Sequence, residues 1–192
     1  MQTPQLIPVH MLLGNLHDTP QFALPPSFTI RYYHAGDAET WVAIQREADP
    51  HHVINRGLFE REFGGDESAL SQRQCFLCNT TGQAIGTATA WFNDNYDGRP
   101  CGRVHWLAIV PGSQGRGLAK PLLSAVCNRL RELGHSRTYL ITETVRIPAI
   151  RLYLKFGFVP VIRDASDLSA WLDLKRQGLD LGKEGSSPII NK

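Results

Sequence analysis

The stretch HWLAIVPGSQGRGLAKPLLSAV, residues 105–126, decides how this chain folds. An apolar run rich in branched residues stops at Val110 and Pro111, and a glycine-containing segment then opens an amphipathic run. Across 117–133, leucine and valine recur every three or four residues, which is the spacing of a helix that buries one face. The sequence therefore predicts a buried strand over 103–110, a glycine loop and a long helix.

The glycine loop indicates an anion site. Gly115 and Gly117 carry no side chain that would keep a ligand away from the backbone. The first amide N–H groups of a helix have no internal partner, and together with the helix dipole they favour an anion. Arg116 and Lys120 add positive charge, so a phosphate or pyrophosphate is expected here, although glycines that only let the chain turn are an equally open interpretation. The P-loop pattern and the complete dinucleotide fingerprint are absent.

The segments on either side of this unit alternate between short strands and helices. Strands are predicted over 28–36, 136–142 and 158–162 and as a hairpin within 74–93, and helices over 37–49, about 58–63, 148–156 and 167–177. This order is typical of a mixed α/β domain with one dominant strand–helix unit.

The two ends of the chain differ in composition from the segment between them. Residues 1–27 are rich in proline, show no clear period, and are predicted to form an arm outside the core. Residues 28–165 are the predicted domain, and residues 166–192 are a C-terminal helix with a polar tail. One hypothesis for the arm is that it crosses to a neighbouring subunit, which would make the protein a homodimer.

Composition and charge argue against several classes of partner. A formal net charge of +2 in 192 residues is too small to indicate nucleic acid or an anionic membrane surface. The N-terminus lacks the features of a signal peptide and no segment has the apolar length of a membrane span, so we expect a cytoplasmic protein. Cys75 and Cys78 are spaced like a zinc or redox pair, but in a strand this odd spacing puts the thiols on opposite faces, so no metal site is expected.

Two motifs make the interpretation specific. The segment LAIVPGSQGRGLAKPLL resembles the acetyl-CoA-binding segment of the GNAT superfamily of N-acetyltransferases, in which an apolar strand and a proline precede Q/R-x-x-G-x-G/A. A second family hallmark is a short helix that ends in Tyr-x-x-x-Gly-Phe, and the segment AIRLYLKFGFVP is similar to it. The positions that match are Gln114, Gly117 and Ala119 in the first motif and Ala149, Tyr153, Gly157 and Phe158 in the second.

The resemblance covers about residues 28–162 and implies both a fold and a cofactor. The fold is a central mixed sheet of six to seven strands flanked by helices, in which the parallel strands 103–110 and 136–142 splay apart. Acetyl-CoA is the implied cosubstrate, with its pantetheine arm lying between these two strands. The cofactor-binding residues that the resemblance implies are Leu107, Ala108, Ile109 and Val110 on the strand, whose last two would pair with the arm, and Gln114, Gly115, Arg116, Gly117, Leu118, Ala119 and Lys120 in the loop.

One position departs from the family pattern. Relatives often carry an asparagine three residues before the alanine of the second motif, where this chain has Arg146. Arg146 is predicted to contact a CoA phosphate or an anionic acceptor, and a plain surface position is equally open.

The resemblance also implies direct acetyl transfer from the thioester to an amine. Only about one lysine-like amine in a few thousand is neutral at pH 7, so a base must take its proton. His105 stands where many relatives have a glutamate, and its ordinary pKa near 6.5 suits a base at neutral pH; Glu143 is the second candidate. Tyr153 matches the family tyrosine near the thioester sulfur and is the predicted general acid, unless its ring only packs in the short helix.

The sequence therefore predicts an acetyl-CoA-dependent N-acetyltransferase that acts on a primary amine, with a small molecule favoured over a protein acceptor. The alternative is a non-catalytic, regulatory acyl-CoA-binding module of the same fold. The identity of the acceptor cannot be read from the sequence.

Overall fold

A computed structural model describes residues 6–181 and the two-residue strand 189–190. The strands are β1 (Pro8–Leu13), β2 (Thr29–Tyr32), β3 (Gln74–Cys78), β4 (Ala84–Tyr96), β5 (Arg99–Ile109), β6 (Thr138–Glu143), β7 (Val159–Ile162) and β8 (Ile189–Ile190). The helices are α1 (Asp37–Ala48), α2 (Arg56–Phe63), α3 (Glu67–Arg73), α4 (Ala119–Glu132), α5 (Ile147–Lys155) and α6 (Ala165–Arg176). The strands form one mixed sheet in the order β2-β3-β4-β5-β6-β1-β7-β8. This architecture confirms the predicted mixed α/β fold, with eight strands where six to seven were expected.

The first strand corrects the expectation that residues 1–27 lie outside the core. β1 lies inside the sheet, antiparallel to β6 on one side and to β7 on the other. Val9 and Met11 are fully buried. The proline that made this segment resemble an arm, Pro8, is the first residue of the strand, where a missing N–H is tolerated.

The segment after β1 also packs on its own chain. Phe22 N–H donates to Ser124 Oγ of α4 (3.1 Å), and the Phe22 ring lies 5.6 Å from that of Phe156. Residues 8–13 and 22 therefore pack within their own chain and give no support to an arm that crosses to a neighbouring subunit. The homodimer stays a prediction.

The remaining elements follow the predicted order, with three differences, the first of which is that β8 lies in the predicted polar tail. α3 was not predicted, and its start is fixed by the Asp66 side chain, which accepts a hydrogen bond from Ala69 N–H. α6 belongs to the main core, because Trp171 and Leu174 are buried against it. Residues 182–188 and 191–192 of the predicted polar tail lie outside the described residues.

Two apolar layers cover the sheet. α4, α5 and α6 pack on one face, where Leu122 and Leu130 are fully buried. α1, α2 and α3 pack on the other face at the β2–β4 end, around Trp41, Phe59 and Phe63. The two layers lie on opposite faces of the sheet, and β5 runs between them near its middle.

A bulge in β5 opens the sheet. Thr87 pairs with Ala108 but Thr89 pairs with His105, so β5 carries an extra residue at this point, and Trp106 has a left-handed φ of 50°. β5 runs parallel to β6 but pairs with it only at Gly102–Thr138 and Arg103–Tyr139. The strands separate beyond these pairs, which confirms the predicted splayed parallel pair.

Candidate active site

The gap between β5 and β6 leads into a cavity of 280 Å³. Its walls come from β5, β6, α5, α2 and the end of α1. Ile141 shows how open the gap is, since its side chain is 41% exposed although β6 is an interior strand. His105, Glu143, Arg146 and Tyr153, which the sequence places far apart, all line this cavity.

The glycine loop has the geometry that an anion cradle needs. Gly115 and Gly117 adopt φ values of 74° and 77°, a conformation that side chains disfavour. Among the described residues, the backbone N–H groups of 115–119 donate no hydrogen bond. The side chain of Gln114 folds back, and its Nε2 donates to Ile109 O at 2.8 Å, which ties the loop to the end of β5.

Both basic residues of the loop stack on aromatic rings. The guanidinium of Arg116 lies 4.9 Å from the centre of the Phe28 ring, and Lys120 Nζ lies 5.2 Å from that of Phe22. Such cation–π contacts hold the side chain in one position, and the cationic group can still bind an anion. The segment between β1 and β2 therefore holds two positive charges beside the start of α4.

The backbone N–H groups at the end of β5 differ in whether they are already hydrogen-bonded to β4. Val110 N–H already donates to Ile85 O at 2.9 Å, which leaves its carbonyl as the backbone group for the predicted pairing with a cofactor arm. Because that bond flanks the Gly86–Ile109 pair, the N–H of Ile109 points away from β4 and toward the gap. Of the predicted strand residues, Leu107 lines the cavity, whereas Ala108 packs toward α1 and α2.

Tyr153 reaches the cavity from the α5 side of the sheet. It is 7% exposed, and its ring meets Phe158 edge-on at 5.8 Å. Within residues 6–181 its hydroxyl makes no hydrogen bond, so the ring packs while the hydroxyl stays available. Burial raises the pKa of Tyr153 to about 12, which keeps the hydroxyl protonated.

His105 reaches the same cavity from the opposite side. It is 5% exposed and packs edge-on against Phe63 at 5.4 Å. Its Nε2 lies 2.9 Å from Glu62 Oε2, a short contact whose direction falls short of a well-aligned hydrogen bond. Burial lowers the pKa of His105 to about 4, so the expectation of a base titrating near 6.5 is corrected: the ring is neutral throughout the neutral range.

Glu62 is a site residue that the sequence reasoning missed. It lies on α2, and Trp106 Nε1 donates to its Oε2 at 3.0 Å, so the bulge in β5 brings His105 and Trp106 to one carboxylate. Contact with His105, followed by the bond from Trp106, lowers the pKa of Glu62 to about 2 and keeps it ionised. No local motif marks it, because only the packing of α2 on β5 brings it to the cavity.

Glu143 and Arg146 belong to a charge cluster at the cavity rim. Glu143 accepts from Arg146 Nε at 2.9 Å and lies 3.1 Å from His52 Nε2. Arg146 Nη2 also donates to Asp49, whose side chain is only 1% exposed, at 2.8 Å. Both groups are thus already engaged, which makes Glu143 a weaker candidate for the base than His105 and leaves Arg146 less able to meet a phosphate.

The comparisons with known proteins agree with this geometry. The sequence model of the acetyltransferase (GNAT) family matches residues 29–158. A curated relative named mycothiol acetyltransferase, from Pseudarthrobacter chlorophenolicus, is 27% identical over 146 residues, which cover 73% of this chain and 45% of the relative. The chain spans about half the length of the curated relatives it matches.

Solved structures share the fold. A GCN5-related N-acetyltransferase from Sphaerobacter thermophilus has a TM-score of 0.65 at 21% identity, covering 82% of this chain and 49% of that one. An aminoglycoside N-acetyltransferase in complex with CoA has a TM-score of 0.55 at 21% identity, covering 73% of this chain and 95% of that one. The splayed sheet and the glycine loop define an acyl-CoA-dependent acetyltransferase fold, and the chain belongs to the acetyltransferase (GNAT) family. None of the helices that the structure describes is long and apolar enough for a bilayer crossing.

Proposed function

We propose that this protein is an N-acetyltransferase that moves an acetyl group from acetyl-CoA directly to the primary amine of a small molecule. The observation that carries the proposal is the meeting of His105 and Tyr153 in one cavity, reached from opposite faces of the sheet. The unpaired amides of 115–119 lie beyond the end of the same β5 strand, where a pyrophosphate would be held. In support, one structural neighbour, of which the match with this chain covers 95%, is an aminoglycoside N-acetyltransferase in complex with CoA.

His105 is the proposed base. The Glu62 carboxylate beside Nε2 favours the tautomer with its hydrogen there and leaves Nδ1 to accept a proton. The amine reacts in its neutral form, having lost its ammonium proton to solvent. As its nitrogen attacks the thioester carbonyl, the new N–C bond makes that nitrogen much more acidic, and the His105 imidazole takes its remaining excess proton. Glu62, which stays ionised, then stabilises the imidazolium.

Tyr153 is the proposed donor to the leaving group. A phenol with a pKa of about 12 is a weaker acid than a thiol, whose ordinary pKa is near 8.5, so Tyr153 stabilises the departing thiolate by a hydrogen bond rather than by complete transfer. The C–S bond breaks, and the thiolate takes its proton from the His105 imidazolium through water. The products are an acetamide and CoA thiol, with His105 and Tyr153 returned to their starting forms.

The size of the cavity favours a small acceptor. Its volume of 280 Å³ lies just below the usual range of ligand pockets, about 300–1,000 Å³. Several curated relatives are named mycothiol acetyltransferase, which is a small-molecule activity. Similarity to them extends over about half of their length, so their acceptor is one member of the panel to be tested and not an assignment.

The test is calorimetric titration with acetyl-CoA, followed by a panel of amines with release of CoA thiol as the signal. We expect binding of acetyl-CoA and thiol release with one class of amine. Binding without release from any amine would instead favour the regulatory acyl-CoA-binding module. Absence of binding would overturn the proposed role of the glycine loop.

A further inference from the structure

Arg103 is a charged residue of the cavity that the proposed mechanism does not use. It lies on β5, lines the cavity, and is only partly exposed. Among the described residues its guanidinium makes no hydrogen bond and no ion pair, and its Nε is buried without an acceptor. Its guanidinium lies over the ring of Tyr139, whose centre is 5.7 Å from the guanidinium carbon, and its charge acts on Glu62 without a hydrogen bond or ion pair.

This lack of a polar partner sets Arg103 apart. Every other arginine of the described chain that is not exposed donates at least one hydrogen bond from its guanidinium; these are Arg31, Arg73, Arg129, Arg131, Arg137 and Arg146. Since a guanidinium is a permanent cation with five donors, leaving one partly buried and unpaired costs free energy. A cation–π contact offsets part of that cost but satisfies no N–H group.

The surroundings place this cation beside the proposed chemistry. Arg103 and His105 lie two residues apart on the same face of β5, about 6.6 Å along a strand. Burial lowers the pKa of His105 most, the contact with Glu62 raises it, and the charge of Arg103 lowers it further. The nearby carboxylates have their direct contacts elsewhere, Glu62 with His105 and Trp106, and Glu143 with Arg146 and His52. Contact with His105 lowers the pKa of Glu62 most, and the charge of Arg103 is only the last of several influences that lower it.

We infer that Arg103 binds an anionic group of the acceptor, so that the acceptor is a small amino acid-like molecule with an amine and a carboxylate a few bonds apart. The amine would lie at His105 and Glu62 while the carboxylate accepts from the Arg103 fork, the geometry in which arginine binds carboxylates best. The inference rests on the proposed function. A phosphate monoester would present the same anionic chemistry and is separated from a carboxylate in the test.

The experiment compares acceptors that differ only in the anion. The pairs are L-alanine with L-alaninamide, β-alanine with β-alaninamide, and phosphoethanolamine with ethanolamine. For each pair, kcat/KM of acetylation is measured with the wild type and with Arg103→Met, Arg103→Lys and, as the matched control, Arg99→Met, which removes an exposed arginine from the same strand. The ratio of the two members, compared between variants, cancels differences in amine pKa.

We expect the wild type to prefer the carboxylate member by about 10- to 100-fold, the range of a charge-assisted hydrogen bond. Arg103→Met abolishes that preference, Arg103→Lys keeps part of it, and Arg99→Met leaves it unchanged. Removing an unpaired, partly buried charge should not lower the thermal midpoint, whereas loss of a purely structural arginine would. Equal rates for acid and amide, or a preference that survives Arg103→Met, would overturn the inference; preference confined to the phosphate pair would assign the site to phosphate instead.

Failure of the proposed function is recognised separately. If no amine is acetylated, the same acids and amides are titrated calorimetrically in the presence of CoA. Acid binding that Arg103→Met weakens at least about tenfold would support the anion site in a protein without transferase activity. Absence of binding by every acid would overturn the site as well.

Discussion

The cofactor side and the acceptor side of the gap are built in opposite ways. The cofactor side is one continuous segment, the end of β5 and the loop into α4, and it presents backbone N–H groups from 115–119. The acceptor side is assembled from side chains of separate elements, with Glu62 from α2, Asp49 after α1, and Arg146 before α5. Backbone groups keep their chemistry whatever the side chains are, whereas the acceptor side depends on which charges are buried and how they are paired.

This difference predicts how each side fails. Changes on the cofactor side should alter affinity for CoA through backbone geometry and leave the chemical step intact. Changes on the acceptor side should alter rate, specificity or stability through lost partners. A substitution that changes both CoA affinity and the rate of the chemical step would mark a residue that belongs to both sides.

His105→Asn should give the largest effect, on the acceptor side. Loss of a general base lowers kcat by about 100- to 10,000-fold, while the dissociation constant of acetyl-CoA stays within about threefold. Stopped-time measurement of thiol release and calorimetry give the two values. An unchanged kcat would remove His105 from the mechanism and leave Glu143 as the candidate base.

The pH profile of the wild type sharpens this prediction. His105 acts when it is neutral, and its pKa is lowered to about 4, so its own protonation should limit kcat only below about pH 4, and a fall of kcat at higher pH should follow the pKa of the acceptor amine instead. The free energy of unfolding should also fall with pH. The unfolded chain binds a proton at this histidine near pH 6.5 while the folded chain does not until about pH 4, so protonation favours the unfolded chain over that interval. A kcat transition near pH 6.5 that His105→Asn removes would show that burial does not lower the pKa of His105.

The same division explains what the sequence revealed. The glycine loop was predictable from a continuous segment of sequence, whereas the role of Tyr153 and the splayed strands were implied by the resemblance of two motifs to the GNAT family. β1 was missed because Pro8 and His10 interrupt a short apolar run, and only the pairing with β6 and β7 shows that it is a strand. Its burial between two strands is a tertiary effect that local composition does not carry.

The acceptor side was predicted only in part. His105 was found by its position relative to the loop, but Glu62 comes to it through the packing of α2, which no spacing encodes. Arg103 left a signal that could have been used, since it shares a strand face with His105 inside an otherwise apolar run. The pKa of His105 could not have been predicted, because its burial and the bulge at Trp106 are properties of the fold.

Tyr153→Phe should give the next effect and acts between the two sides. Loss of one hydrogen-bond donor to a developing anion lowers kcat by about 100- to 1,000-fold, and acetyl-CoA affinity changes little because the ring is kept. Tyr33→Phe is the control, since Tyr33 is equally buried but belongs to the other apolar layer. If both variants retain full activity, the Tyr153 hydroxyl has no part in the transfer.

Gly117→Ala tests the cofactor side alone. A left-handed φ of 77° costs an alanine about 1–2 kcal/mol, so CoA affinity should fall about 5- to 30-fold as the loop relaxes, with kcat at saturation preserved. Gly112 lies in the same loop with no positive φ and open space around it, so Gly112→Ala should leave affinity unchanged. Equal losses in both variants would point to loop flexibility instead of amide geometry.

Arg146→Gln decides to which side Arg146 belongs. Burial alone would raise the pKa of Asp49, but hydrogen bonds from Arg146 and from His51 N–H outweigh it and hold the pKa below its usual value. Breaking a buried pair costs about 3–5 kcal/mol, and because the Arg146 side chain is 33% exposed we expect about 1–3 kcal/mol of lost stability, with CoA affinity unchanged. Urea unfolding and calorimetry give the two values.

A double-mutant cycle completes the assignment of Arg146. Asp49→Asn removes the charge that Arg146→Gln leaves unpaired, so the double variant should be less destabilised than the sum of the two single variants. The stabilisation from Asp49 is present above the ordinary carboxyl pKa of 3.8 and is lost as pH falls below it, so the coupling should vanish in acid. If CoA affinity falls while stability and coupling stay unchanged, Arg146 belongs to the cofactor side, as its place in the second motif first suggested.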